Sequence, residues 1–217
     1  MKTDFAAIFD MDGVIVDNYK YHQQAWKIFC ERHQINFESS FKSKIFGSNN
    51  KDHLEAFFNR SLTGSEIKKF ENEKEEIYRD LYGPVMQPVG GLIPFLVELN
   101  QNKVEMALAT SSPSINVEFV LTETGTKKYF NTIVDASMVN KGKPDPEIYL
   151  MTAGLLTISP DKCIVFEDSL LGIESAKSAG MKVIGIATTH KKEELSNVDL
   201  ALDNFENLSV NQLANLI

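Results

Sequence analysis

Residues 92–217 contain apolar runs of strand length that alternate with segments of helical spacing. The predicted strands cover 104–109, 132–135, 163–166, 183–186 and a short edge strand at 200–201. The predicted helices around them cover 92–100, 114–124, 143–155 and 171–179, and the last one ends at Gly180. Such alternation is typical of α/β proteins with a doubly wound parallel sheet. We therefore predict that this part of the chain forms such a sheet.

An apolar run at residues 5–9 belongs with these strands, although it lies at the other end of the sequence. The segment 17–87 separates it from them and has helical spacing with no convincing strand. Its predicted elements are helices at about 17–33 and around 54–58, a loop at 45–50, and a long helix from an N-cap at Ser65 to about 82. We therefore predict an α/β core of residues 1–16 and 88–217 with an inserted, all-helical cap domain of residues 17–87.

The composition restricts the class of protein. The 217 residues are 43% hydrophobic and 24% charged, as in ordinary globular proteins, and the net charge of −8 argues against a nucleic-acid partner. No apolar run approaches the ~18 residues of a membrane span, and no signal-peptide pattern precedes the first strand. Cys30 and Cys163 lie far apart in unlike patterns, which does not suggest a disulfide or a zinc site. We expect a cytoplasmic monomer without a membrane partner.

Polar residues follow the predicted strands and occupy one neighbouring turn. They are Asp10, Asp12, Thr110, Ser111, Lys143, Glu167 and Asp168. If the strands are parallel, these residues lie at one edge of the sheet, where open α/β folds place their ligands. Three or four carboxylates at one place require a hard cation, and oxygen ligands suit Mg²⁺. A lysine beside them is understandable if the ligand also carries a phosphate group.

Each of these residues also has a structural interpretation. Asp10 and Asp12 could belong to a solvated turn before Gly13, and Lys143 could be a solvated turn residue. The runs 110–112 and 167–169 could serve as helix caps. Their joint occurrence at successive apolar strand ends favours a shared site.

The motifs FDMDGVIVD, ATSSP, GKPDPEIY and VFEDSLLGIESAKSAG resemble the four motifs of the haloacid dehalogenase-like phosphohydrolase superfamily. The stretch DMDGVIVDNYKYHQQAW, with the helical insert after it, is most similar to the β-phosphoglucomutase-like branch. The resemblance covers essentially the whole chain, and the motifs are specific for the superfamily but much less so for the substrate. It implies a Rossmann-like core, a helical cap, and phosphoryl transfer from a small phosphorylated metabolite.

The resemblance also implies roles for the residues at the strand ends. Asp10 would be the nucleophile that forms an aspartyl-phosphate, and Asp12 would be the general acid and base. Thr110 and Lys143 would bind the transferred phosphoryl group, with Ser111 and Asn116 as weaker candidates nearby. The implied Mg²⁺ ligands are Asp10, the backbone carbonyl of Asp12, Asp168, and Glu167 either directly or through water.

His22 and Trp26 lie one turn apart on the first helix of the predicted cap, so they share a face. His22 matches a histidine that supports substrate positioning in the mutases. The alternative is that His22 is a surface residue and Trp26 a core residue. His33, His53 and His190 have no such context, and we expect them at the surface.

The sequence departs from a β-phosphoglucomutase in the residues that would bind a second phosphate group. Gly47, Asn50 and Lys51 fall in the expected substrate loop, but Asn50 occupies the position of the mutases' arginine. A second cap lysine falls on Asp80, one residue after Arg79. Either Lys51 or Arg79 could substitute for the missing cation.

A further departure is Asn18, which replaces the threonine of the mutases at the hinge. We therefore rank a Mg²⁺-dependent phosphatase for a small, sugar-like phosphomonoester above a hexose phosphomutase, with a non-catalytic phosphate-binding module third. Asp12 argues against dehalogenase and phosphonatase chemistry, because both lack that carboxylate.

Overall fold

The computed structural model describes residues 4–37 and 50–217, and its centre is a six-stranded parallel sheet. The strands are β1 (Ala6–Phe9), β2 (Glu105–Ala109), β3 (Thr132–Val134), β4 (Cys163–Glu167), β5 (Lys182–Ile186) and β6 (Leu200–Leu202). Their order across the sheet is β3-β2-β1-β4-β5-β6. The prediction of a doubly wound α/β fold is confirmed. Strands β1 and β4 form the central pair, and the chain order of the strands runs in opposite directions on the two sides of this pair.

Helices connect and cover these strands. They are α1 (Tyr19–Arg32), α2 (Asn50–Phe58), α3 (Gly64–Tyr82), α4 (Leu92–Gln101), α5 (Ser114–Glu123), α6 (Glu147–Leu156), α7 (Leu170–Ser178) and α8 (Val210–Ala214). None of the helices within the described ranges is both long and apolar enough to cross a membrane.

The sequence of β1 is apolar at every position because both faces of the sheet are covered. Its four residues are completely buried. Ala7 and Phe9 pack into the core on one face, whereas Ala6 and Ile8 pack into the core on the other. Phe9 stacks on Phe166 of β4, with 4.4 Å between the ring centroids. Because side chains of β1 are packed on both faces of the sheet, the position of the turn after Phe9 is fixed relative to the sheet.

Helices α1, α2 and α3 lie between β1 and α4 in the chain, and the described part of this segment contains no strand. Aromatic rings hold them together: Trp26 of α1 packs on Phe57 of α2 at 5.1 Å, and Phe29 of α1 contacts Phe70 of α3 at 5.9 Å. The predicted all-helical insert is therefore observed. The exact domain boundaries stay a prediction.

Two sequence-based predictions in this segment are wrong. The N-cap of α3 is Thr63, not Ser65, because the Thr63 hydroxyl accepts from the Glu66 backbone while the Glu66 carboxylate accepts from the Thr63 backbone. His53 is 5% exposed instead of lying at the surface, because its ring packs edge-on against Trp26 inside the helical layer. Gly47 and most of the predicted loop at 45–50 lie outside the described residues.

Candidate active site

The turn after β1 carries the two aspartates. The Asp10 backbone continues the pairing with β4 by donating to the Phe166 carbonyl at 3.0 Å. Gly13 then adopts a φ of 78°, and a Cβ at this position would overlap the carboxylate of Asp168. Only glycine fits this turn, because it must be left-handed and must leave room for the residue that follows β4.

Glu167 ends β4 with a completely buried carboxylate. Its Oε1 accepts from Lys143 Nζ at 2.6 Å and from the Tyr149 hydroxyl at 2.8 Å. Its Oε2 accepts from the backbone N–H groups of Asp168 and Ser169 at 3.0 and 2.9 Å. Helix α7 approaches closely enough that a Cβ at Gly172 would overlap this carboxylate. Glu167 is therefore held on every side, and its strongest partner is Lys143.

Lys143 joins the ends of β1 and β4. Its Nζ donates to Asp10 Oδ1 at 2.9 Å as well as to Glu167, and it lies 5.0 Å from the centre of the Tyr149 ring. Burial lowers the pKa of Lys143, but the charges of Asp10 and Glu167 outweigh burial and raise the pKa well above its usual range. The side chain is thus a permanently charged ammonium at the sheet edge.

Asp10, Glu167 and Asp168 each place a carboxylate oxygen within 4.8 Å of the others. Burial raises the pKa of Asp10 to about 7, although Lys143 opposes this shift. Burial and the charges of Glu167 and Asp10 also raise the pKa of Asp168 well above its usual range. One ammonium therefore does not balance the carboxylates here. An oxygen-lined, negatively charged cluster of this kind fits Mg²⁺.

Asp12 faces the helical layer instead of this cluster. Its carboxylate accepts from the Ser112 hydroxyl at 2.5 Å and from Asn18 Nδ2 at 2.6 Å, and His22 Nε2 lies 3.6 Å away. Burial raises the pKa of Asp12, but the hydrogen bonds from His22, Ser112 and Asn18 oppose burial, and the pKa lies below its usual range. Asp12 is therefore ionised in this arrangement.

Ser112, Asn18 and Tyr149 were missed as site residues in the sequence analysis. Ser112 stands in the ATSSP motif next to two residues that were predicted, and nothing in the sequence separates its role from theirs. Asn18 was noted only as a departure at the hinge, yet its amide also donates to the Tyr78 hydroxyl at 2.6 Å. It thereby links the turn after β1 to α3.

Lys74 and Glu75 of α3 were also missed, and both are only 2% exposed. Lys74 Nζ donates to His22 Nδ1 at 2.8 Å and to Glu75 Oε1 at 2.9 Å. Because an ammonium can only donate, His22 Nδ1 accepts, so a neutral His22 carries its proton on Nε2, towards Asp12. A signal existed: Tyr78 and Tyr82 mark the buried face of a helix otherwise rich in charge, and Lys74 lies one turn earlier on that face.

A cavity of about 100 Å³ lies between the sheet edge and the helical layer. Six predicted residues line its core end, namely Asp10, Asp12, Thr110, Ser111, Lys143 and Asp168. His22, Trp26 and Asn50 line the cavity from the helical layer. The structure thus brings most of the predicted site residues to one cavity.

Four other predicted or suggested residues do not reach this cavity. Lys51 is exposed at the surface of α2. Asn116 is completely buried behind the wall, where it donates to Glu75 Oε2 at 2.6 Å and accepts from Arg79 at 2.9 Å. Glu167 lies beneath the wall and reaches the cavity through Lys143. Neither suggested replacement cation, Lys51 or Arg79, therefore lies in the wall.

Residues 7–186 match the family described as haloacid dehalogenase-like hydrolase. The chain therefore belongs to that family, and it is a phosphoryl-transfer enzyme.

Among similar proteins, a β-phosphoglucomutase of Bacillus subtilis is 33% identical over 83% of this chain and 82% of its own length. A chloroplastic 5-amino-6-(5-phospho-D-ribitylamino)uracil phosphatase of Arabidopsis thaliana is 31% identical over 97% of this chain, which spans 57% of that protein. The crystal structure of a family IA hydrolase from Entamoeba histolytica covers the whole chain and 99% of its own, with a TM-score of 0.87 and 29% identity.

Proposed function

We propose that this protein is a Mg²⁺-dependent phosphatase that hydrolyses a small, sugar-like phosphomonoester through an aspartyl-phosphate on Asp10. The observation that carries the proposal is the contact of Asp10 Oδ1 with Lys143 Nζ at 2.9 Å, inside a cluster of carboxylates at the cavity floor. A nucleophilic carboxylate, a fixed cation and further carboxylates that can hold a metal ion are the components that phosphoryl transfer requires.

The reaction divides into two displacements. Asp10 attacks the phosphorus, the bond to the leaving oxygen breaks, and that oxygen takes a proton from Asp12. Water then gives a proton to Asp12 and attacks the phosphorus, which frees Asp10 and releases phosphate. The ionised Asp12 of this structure suits the second displacement. The negative charge of an arriving phosphate raises the pKa of a neighbouring carboxyl, which favours the protonated form needed for the first.

Asp10, Asp168 and the backbone carbonyl of Asp12 would hold Mg²⁺, which supplies positive charge for the phosphoryl oxygens. We assign Glu167 a contact through water, because both of its oxygens already accept hydrogen bonds from protein groups. Lys143, Thr110 and Ser111 line the same end of the cavity, and we assign them to the oxygens of the transferred group. Their task is alignment and charge stabilisation.

We assign the helical segment of residues 17–87 the role of a cap that excludes water and selects the substrate. His22 is the link between this segment and Asp12. The ring stacks on Tyr78 at 3.9 Å between centroids, so that its Nε2 stays directed at the Asp12 carboxylate. Trp26 forms an apolar wall beside it.

Phosphate release from a panel of sugar, polyol and nucleotide monophosphates, with and without Mg²⁺, tests the proposal. We expect Mg²⁺-dependent release that Asp10→Asn abolishes. Asp17→Asn is the matched control, because Asp17 belongs to the same motif but is exposed. No release from any substrate, or full activity in Asp10→Asn, would contradict the proposal.

A hexose phosphomutase is the second candidate, favoured by the similarity to the Bacillus subtilis enzyme and by the His22–Asp12 geometry. Incubation of β-glucose 1-phosphate with a hexose bisphosphate primer separates the two functions. Formation of glucose 6-phosphate supports the mutase, whereas free phosphate without isomerisation supports the hydrolase.

A further inference from the structure

The cavity has a second end, formed by the helical layer, whose charges differ from those at the sheet edge. We define this cap end by Trp26, Asn50, His53, Lys74 and Glu75, which all line the cavity. Lys74 Nζ and Glu75 Oε1 are 2.9 Å apart, and both side chains are almost completely buried. The cap end therefore carries one positive and one negative charge in direct contact.

The Glu75 carboxylate is fixed in place by neutral donors as well as by Lys74. Its Oε1 accepts from Asn50 Nδ2 at 2.8 Å, and its Oε2 accepts from Asn116 Nδ2 at 2.6 Å. Burial raises the pKa of Glu75, but the charge of Lys74 and the hydrogen bonds from Lys74 and Asn50 together oppose burial, and the pKa lies below the usual range. Glu75 is therefore a permanent negative charge that cannot turn away from a ligand without breaking these bonds.

Lys74 has little capacity left for an anion. An ammonium has three N–H donors, and two of them serve His22 and Glu75. The Lys74 Nζ also lies 5.0 Å from the ring centre of Trp26. One N–H donor of Lys74 remains for a ligand, and the positive charge of Lys74 is already balanced by Glu75.

No other cation compensates for Glu75 in the cavity wall, as far as the described ranges show. Arg79 donates to Asn116 and does not line the cavity, and Lys51 is exposed and does not line it either. A phosphate group at the cap end would add close to two negative charges beside Glu75 without a net positive partner. Like charges brought together in a buried site lower affinity strongly.

We propose that Glu75 makes the cap end selective for substrates whose remote part is a neutral, hydroxyl-rich group, and that it rejects substrates with a second phosphate. This inference rests on the proposed function, because it assumes that the reacting phosphate occupies the sheet edge. Glu75 and Asn50 offer carboxylate and amide oxygens to hydroxyl groups, and Lys74 offers its one remaining N–H. These are partners for a polyol chain or a sugar ring.

The test compares D-mannitol 1-phosphate with D-mannitol 1,6-bisphosphate, because their reacting ends are the same. Both are measured as competitive inhibitors of acetyl phosphate consumption, since the small acetyl group does not extend to the cap end. We expect the monophosphate to bind about tenfold more tightly than the bisphosphate, which is the effect of ~1.4 kcal/mol. In Glu75→Gln this preference should fall by about the same factor.

Glu76→Gln is the matched control, because Glu76 is the next residue of α3 and is exposed. It should keep the wild-type preference. Asn50→Arg is a second variant, which adds a cation beside Glu75 and should improve binding of the bisphosphate even if Glu75→Gln does not fold. Thermal unfolding followed by circular dichroism establishes that each variant is folded.

The outcomes separate the inference from the function on which it rests. The proposed role of Glu75 is overturned if the two compounds inhibit the wild type equally, or if neither compound inhibits it. It is also overturned if both Glu75→Gln and Asn50→Arg keep the wild-type preference for the monophosphate. If the wild type consumes no acetyl phosphate and releases no phosphate from the substrate panel, the proposed phosphatase function fails instead.

Discussion

The two ends of the cavity both contain buried charged side chains, but they balance their charges differently. At the sheet edge, Lys143 faces Asp10 and Glu167, with Asp168 beside them, so negative charge is in excess. At the cap end, Lys74 and Glu75 cancel each other. An excess of buried charge requires a ligand of opposite sign, whereas a balanced pair requires none. We infer that the sheet edge sets the chemistry and the cap end selects the substrate.

Among the changes that test this comparison, removal of the nucleophile should have the largest effect on turnover. We expect Asp10→Asn to lower phosphate release by about 10⁴-fold or more, because an amide cannot form the covalent intermediate. Binding of D-mannitol 1-phosphate to the variant, measured by titration calorimetry, should persist because the cap end is intact. Residual turnover above about 1% of the wild type would show that Asp10 is not the nucleophile.

Removal of the divalent cation should have the next largest effect. We expect chelation with EDTA to lower turnover by about 10³-fold and added Mg²⁺ to restore it, because one ammonium does not neutralise the carboxylates and the phosphoryl oxygens together. The measurement is initial-rate phosphate release after dialysis. Full activity of the chelated, dialysed protein would remove the metal from the proposal.

Loss of the acid–base carboxylate should have a smaller effect that depends on the leaving group. We expect Asp12→Asn to lower turnover of an alkyl phosphate by about 10²-fold or more, because its leaving oxygen needs a proton. The loss should be smaller for acetyl phosphate, since acetate leaves without one. Rates for the two substrates in wild type and variant provide the measurement, and equal losses would contradict proton donation by Asp12.

The smallest effect on turnover should come from the cap end, where stability is the better measurement. Lys74→Met leaves Glu75 buried without a counter-charge, so we expect the free energy of unfolding to fall by about 3–5 kcal/mol. The double variant Lys74→Met/Glu75→Gln removes both charges and should recover most of this loss. Urea unfolding curves of the two variants decide the point, and equal instability would show that the pair is not balanced as described.

The positions of several residues at the sheet edge could be predicted from the sequence. The turn after β1 was predictable, because an apolar strand followed by Asp10, Asp12 and Gly13 is a local pattern. The Lys143 position was also predictable from its motif, although its two carboxylate partners lie 133 and 24 residues away in the chain. These predictions succeeded because parallel strands bring successive strand ends to one edge.

Predictions for the helical segment were less complete. Helix spacing placed α1 and α3 correctly, but it did not show that Lys74 reaches His22, 52 residues earlier in the chain. His53 was expected at the surface because it stands in no motif, although its side chain is buried against Trp26. The packing angle between helices determines such contacts, and small changes in rotation move a side chain from solvent into a cavity.

The sequence by itself determined the parallel sheet, the helical insert and the set of polar groups at the strand ends, because these follow from local periodicity and from the order of the motifs. The tertiary structure decided which charges stand next to each other. It directed Asp12 towards His22, set Glu75 against Lys74 and kept Arg79 out of the cavity wall. Electrostatic energies depend on separations of a few ångströms and on burial, and only the packed chain fixes both.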